Sequence, residues 1–185
     1  GLKQLRDAAV LSRTISRRYK LRMRDLFMNS DNAEEVDAAY IWLETWAKAN
    51  AEPKVIEVLQ GATRTDRANI RIRAMGALAA IEHRPSLSIF ERAMKEGRID
   101  IRLAAAKGLA AVARAGDENR LGKHLRKEPK PEIRLELIKG LARIGTVEVI
   151  GPLQFVLTDR NKDIKTTAAQ AIAAVGGKKA SVLLR

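Results

Sequence analysis

Apolar residues recur along this chain with a spacing of 4, 4 and 3. The series runs Ile70, Ala74, Leu78, Ile81; then Ile101, Ala105, Leu109, Val112; then Ile133, Leu137, Leu141, Ile144; and then Ile164, Ala168, Ile172, Val175. Steps of three and four keep to one face of an α-helix. The first positions lie 31, 32 and 31 residues apart, and a basic residue follows each of them: Arg71, Arg102, Arg134 and Lys165. Self-similarity at this period predicts stacked helix pairs whose core is a strip along the stack.

The same pattern predicts the remaining elements. Residues 2–28 carry Leu5, Ala8, Ala9, Ile15, Tyr19, Met23, Leu26 and Phe27 roughly on one face, as one long or broken helix. Ser30-Asp31-Asn32 stops it and caps a second helix reaching about Asn50, with Glu34 and Glu35 in its first turn, where the helix dipole favours acids. Pro53 suits the start of a third helix, ending near Gly61. A longer helix begins near Ala68, followed by helices over 86–96, 99–114, 117–127, 131–144, 147–158 and 161–175. Lys179 to Leu184 reads as the start of another. Pro85, Gly97, Gly116, Pro129, Pro131, Gly145, Gly176 and Gly177 mark the joints. No stretch alternates with the period of a strand. The expected organisation is a basic helix and a capping helix with Trp42 and Trp46 over 1–50, then a continuous repeat domain over 51–185.

Composition narrows the chemistry. Aromatic residues make up 4% of the chain and there is no Cys, which excludes disulfides, Cys-ligated zinc and thiol catalysis. No apolar run approaches the roughly 18 to 20 residues that span a bilayer. A start at Gly1 and an end inside a helical stretch fit a segment of a longer chain. The net charge is +13, and residues 1–30 alone hold eight Lys/Arg against Asp7 and Asp25. Arg13, Arg17, Arg18, Lys20, Arg22 and Arg24 form a basic patch suited to an anionic partner or an anionic membrane surface.

Segments such as Asp100-Ile101-Arg102-Leu103-Ala104-Ala105-Ala106-Lys107-Gly108-Leu109 and Glu132-Ile133-Arg134-Leu135-Glu136-Leu137-Ile138-Lys139-Gly140-Leu141 resemble HEAT repeats. They look most like the short units of phycobilisome lyases, and the resemblance covers about residues 52–185. It implies an all-α, right-handed α-solenoid of about five helix pairs. It also implies that an acid in the turn between paired helices pairs with the Arg of the second helix. Glu96, Glu128 and Asp159 occupy that place, giving Glu96–Arg102, Glu128–Arg134 and Asp159–Lys165 as a structural ladder that includes Arg71.

The resemblance further implies that second helices line a concave face. Its stripe comprises Ile72, Arg73, Leu103, Lys107, Leu135, Glu136, Lys139, Arg143, Thr167 and Gln170. An apolar centre with a charged rim is how protein interfaces are built. The alternative is that Ile72, Leu103 and Leu135 pack between repeats.

The catalytic inventory is thin. His83 and His124 are the two histidines, and they stand on different repeats without a His-Glu pairing, unlike the iron-site motifs of the deoxyhypusine hydroxylase branch. Gly116 to Gly122-Lys123-His124 has the wrong gap for a phosphate loop. Trp42 and Trp46, four apart, either wall a groove as in HEAT-like alkylpurine DNA glycosylases or close the end of the core. The expectation is a non-catalytic, cytoplasmic scaffold without cofactor or metal, or the cytosolic part of a membrane-anchored protein. Its partner is a protein, with nucleic acid and an anionic membrane surface as alternatives; a small-molecule ligand is not expected.

Overall fold

A computed structural model describes residues 17–50 and 52–184. Among them are eleven α-helices and no strand. They form two compact units, the first ending at Ser86 and the second beginning at Leu87.

The first unit contains α1 (Arg17–Asn29), α2 (Ala33–Asn50), α3 (Pro53–Ala62), α4 (Ala68–Ala80) and a 3-10 turn, Arg84–Ser86. The break between α1 and α2 is made by local polar contacts. The Asn32 side chain accepts from the Glu34 amide at 2.9 Å, and the Ser30 hydroxyl accepts from the Asn32 amide and donates to Glu35. Aromatic rings fill the space between these helices. Tyr19 meets Trp42 edge-on at 5.4 Å, and Trp42 stacks on Trp46 at 5.6 Å with planes 8° apart. Trp42 and Trp46 are both buried. The Trp pair is therefore core, and the groove-wall alternative does not hold. Arg67 closes the carboxyl end of α1 by donating to the carbonyls of Met28 and Ser30 at 3.1 and 2.8 Å. A cation there meets the negative end of the helix dipole.

The second unit contains α5 (Leu87–Ala93), α6 (Ile99–Val112), α7 (Glu118–Lys127), α8 (Pro131–Ile144), α9 (Ile150–Gln154), α10 (Lys162–Val175) and α11 (Gly177–Leu183). Helices α5 and α6, α7 and α8, and α9 and α10 form three successive pairs, with α6, α8 and α10 packed side by side. The helix expected over 147–158 is present but broken. It runs as a 3-10 turn (Val147–Val149), α9, and a second 3-10 turn (Phe155–Thr158). Pro152 has no amide to return to residue 148, and its ring crowds that carbonyl, so regular α-geometry begins only at Ile150.

The repeat signature forms the core. Ile70, Ala74 and Leu78 in the first unit, and their counterparts in α6, α8 and α10, are all buried. Small residues allow close approach. A Cβ on Gly108 would fall 2.3 Å from the Phe90 ring, and one on Gly140 would fall 2.9 Å from the Ala110 Cα. Neither position has room for a side chain.

Arg102 and Arg134 form ion pairs between repeats, but with acids other than those expected. Arg102 does not pair with the Glu96 carboxylate; it reaches forward to Glu128, with Nε donating to Oε2 at 3.0 Å and Nη2 to Oε1 at 3.2 Å. Arg134 likewise pairs with Asp159 rather than with Glu128. Lys165 adds favourable charge near Asp159 but is not its partner. The physical reason lies in the turn before each second helix. Arg102 Nη1 already donates to the Glu96 and Gly97 carbonyls of its own turn, at 3.0 and 2.8 Å. The rest of its guanidinium fork faces the next repeat. Each receiving acid is held by its own backbone: Glu128 accepts from the Lys130 amide at 3.1 Å and Asp159 from the Asn161 amide at 2.8 Å. Those bonds, first that from Asn161 and then that from Arg134, hold the Asp159 carboxyl below its ordinary range against the opposing effect of burial.

Candidate interaction surfaces

In the first unit, Ile72 and Arg73 lie on α4, both partly buried. Arg73 pairs with Asp37 and its guanidinium sits 5.4 Å from the Tyr40 ring centre. Burial and the nearby Glu44 push the Tyr40 hydroxyl up to about 12, so it stays protonated at neutral pH. Arg73 is thus neutralised within its own unit.

In the second unit, Leu103 on α6 and Leu135 on α8 are partly buried, so each both packs and presents apolar surface. Lys107 is exposed. Lys139 is exposed and bonded to Glu136 at 2.8 Å, one turn away. The Thr167 hydroxyl donates to the Asp163 carbonyl at 2.7 Å, and Gln170 is exposed. Arg143, expected on the binding stripe, instead points at the carboxyl end of α6. Its Nε donates to the Ala110 carbonyl at 2.9 Å and its Nη2 to the Ala113 carbonyl at 3.1 Å, with Ala111 also accepting. It does for α6 what Arg67 does for α1.

Of the basic N-terminal patch, Arg13 and the side chains of Arg17 and Arg18 lie outside the described residues. Lys20 is drawn inward, forming an ion pair with Glu52 at 2.6 Å and lying 5.5 Å from the Trp46 ring centre. The Trp46 indole donates to the other Glu52 oxygen at 2.7 Å. The hydrogen bond from Lys20, then that from Trp46, holds the Glu52 carboxyl below its ordinary value although burial opposes this. Arg22 and Arg24 remain exposed. Beside this cluster, Leu21, Met28, Leu43, Val55 and Val58 line a cleft of about 510 Å³.

The two histidines have separate settings. His83 Nδ1 lies 2.7 Å from the hydroxyl of Ser86, which is fully buried and out of reach of a substrate. His124 on α7 is partly buried in an open groove of about 860 Å³ bounded by α5 and α7. Burial lowers its pKa, and Lys95, Lys127 and Arg120 lower it further against the opposing charge of Glu91. This groove is a site that sequence reasoning missed. The available signal was Lys123 and Lys127, spaced one helical turn apart around His124. No group of three or more His, Asp or Glu residues suited to a metal occurs among the described residues. No described helix is long and apolar enough to cross a membrane.

These features define an α-solenoid repeat protein: paired helices, a strip-like core, and polar ties passed from one repeat to the next. More particularly, residues 118–185 match the family model for HEAT repeats. Solved structures share the fold. One is an engineered protein, 20% identical, with 90% of this chain and 83% of that chain covered and a TM-score of 0.63. A designed armadillo repeat protein in complex with the peptide (KR)4 is 18% identical, with 88% and 85% covered and a TM-score of 0.64. The CpcE–CpcF complex of phycocyanin lyase from Nostoc sp. is 17% identical, with 93% and 68% covered and a TM-score of 0.64. No curated protein matches the sequence.

Proposed function

We propose that this chain is a non-catalytic scaffold that binds a protein partner on its second-helix faces. The observation that carries the reading is the row α6, α8 and α10. Leu103 and Leu135 are partly buried there, and Lys107, Lys139 and Gln170 stand exposed around them. An apolar centre with a polar rim suits a protein interface. The fold supports it too, since a designed armadillo neighbour is in complex with a peptide and another neighbour is a complex of CpcE and CpcF. Nucleic-acid binding draws on the net charge, but on this face Lys139 is paired and Arg143 is engaged with carbonyls.

The test is affinity capture with wild type and with the Leu103→Glu, Leu135→Arg double variant, after circular dichroism shows equal helicity. Loss of specific partners from the double variant is expected. Identical partner sets would count against this face.

A further inference from the structure

Three lysines without an ion-pair partner among the described residues line the groove between α5 and α7, away from the proposed scaffold face. Two of the groove's basic residues already have acids: Arg102 pairs with Glu128, and Arg120 with Glu91 at 2.9 Å. Lys95, in the turn after α5, and Lys123 and Lys127, on α7, are exposed and have no carboxylate within ion-pairing distance among the described residues. His124 lies among them. The open groove therefore carries three uncommitted ammonium groups and an imidazole, with Glu96 as the third acid of its lining beside Glu91 and Glu128.

We propose that this groove is a docking site for an acidic peptide segment, whose carboxylates are met by Lys95, Lys123 and Lys127. Charge complementarity selects the occupant. The groove volume of about 860 Å³ accommodates a stretch of chain rather than a single ion. Ammonium groups are point charges on flexible stems and adapt to carboxylates at variable spacing. A nucleic acid fits less well. The lining offers no Phe, Tyr or Trp on which a base could stack. Bound carboxylates favour the protonated imidazole, so docking raises the His124 pKa back toward its ordinary value. The groups facing His124 are Glu91 and Lys95 from the α5 side and Arg120 and Lys127 from α7. This site is independent of the second-helix face.

The probe is a fluorescein-labelled oligo-glutamate peptide, with its all-glutamine counterpart as control, followed by anisotropy. Wild type binds the acidic peptide and not the glutamine one, and affinity falls as salt rises from about 0.1 M to about 1 M because exposed charges are screened. Lys123→Glu with Lys127→Glu weakens binding on the order of tenfold or more, since like charges then face the peptide. The neutral pair Lys95→Gln, Lys127→Gln weakens it less and serves if the charge reversal disturbs folding. Lys162→Glu, at the start of α10 and outside the groove's lining, leaves it unchanged. The imidazole signal of His124, identified by its loss in His124→Gln, titrates at higher pH with peptide bound. Binding unaffected by both lysine pairs, or a His124 titration unmoved by saturating peptide, overturns the proposal. So does tighter binding of a single-stranded oligonucleotide that the same variants abolish.

Discussion

The two units are held together by different chemistry. In the first, aromatic rings meet in two groups, Tyr19–Trp42–Trp46 and Phe27–Tyr40, and Glu52 anchors the edge of the former through Lys20 and Trp46. In the second, most of the core is Ala, Leu, Ile and Val, with Phe90 as its buried aromatic residue, and buried Arg–acid pairs tie one repeat to the next. Rings bury large areas and need few neighbours. Small aliphatic residues bury little each, so they depend on close helix approach and on correct spacing between repeats. The aromatic unit should be sensitive to loss of bulk. The aliphatic unit should be sensitive to loss of charge pairing and to added volume.

The largest test of this contrast is Trp42→Ala. Truncating a fully buried ring leaves a cavity and should cost about 4 kcal/mol. Both Trp residues lie in the first unit, so denaturation followed by Trp46 fluorescence reports on that unit. A loss under about 1 kcal/mol would mean that the ring set is not what holds it.

Next comes Arg102→Met. It strands the buried Glu128 carboxylate and should cost about 3 kcal/mol. Hydrogen exchange read segment by segment should show the loss around α6, α7 and α8. Adding Glu128→Leu should recover much of it, because an apolar pair no longer leaves a buried charge unpaired. If the single variant is as stable as wild type, the ladder is ornamental.

Gly140→Ala sharpens the packing side of the contrast. One methyl group against the Ala110 backbone should cost about 2 kcal/mol. Gly151→Ala, where an added Cβ meets nothing within 4 Å, should be neutral or slightly stabilising. Thermal melts of the two variants check this; equal shifts would remove close approach from the account.

The smallest effect is expected from Glu52→Gln, at about 1 kcal/mol for the weakened hydrogen bonds to Lys20 and Trp46. Its pH dependence carries a sign. The Glu52 carboxyl is held below its ordinary value of 4.5, so its contribution is fully present above that pH and is lost as pH falls through the lower folded-state value. The gap between wild type and variant should therefore close on acidification. A gap that widens would contradict the arrangement.

Much of this fold was legible in the sequence because it rests on local periodicity. The 4-4-3 spacing located the buried faces of α4, α6, α8 and α10, and their ends fell close to the Gly and Pro positions. Its fourth position was less reliable: Val112 is buried, but Ile81, Ile144 and Val175 are only partly so, since helix ends open toward solvent. The ladder partners were not legible. Two acids stand one repeat apart for each Arg, and spacing alone cannot say which of them the guanidinium fork faces. Arg67 and Arg143 were misread or missed for a related reason. Their targets are main-chain carbonyls, which leave no trace in side-chain patterns. The groove at His124 escaped because Lys95, in the turn after α5, joins Lys123 and Lys127 of α7 only in the folded chain.

The forward reach of Arg102 and Arg134 gives the repeat array a direction. The α5–α6 repeat supplies a cation to the α7–α8 repeat, which in turn supplies one to the α9–α10 repeat, so each of these joints is completed by two different repeats. Duplication of a whole repeat thus inherits a finished joint on either side, whereas insertion of part of one leaves a donor without a receiver. Such a chain can lengthen by recombination in complete steps, and the same rule tells an engineer where it can be cut and spliced.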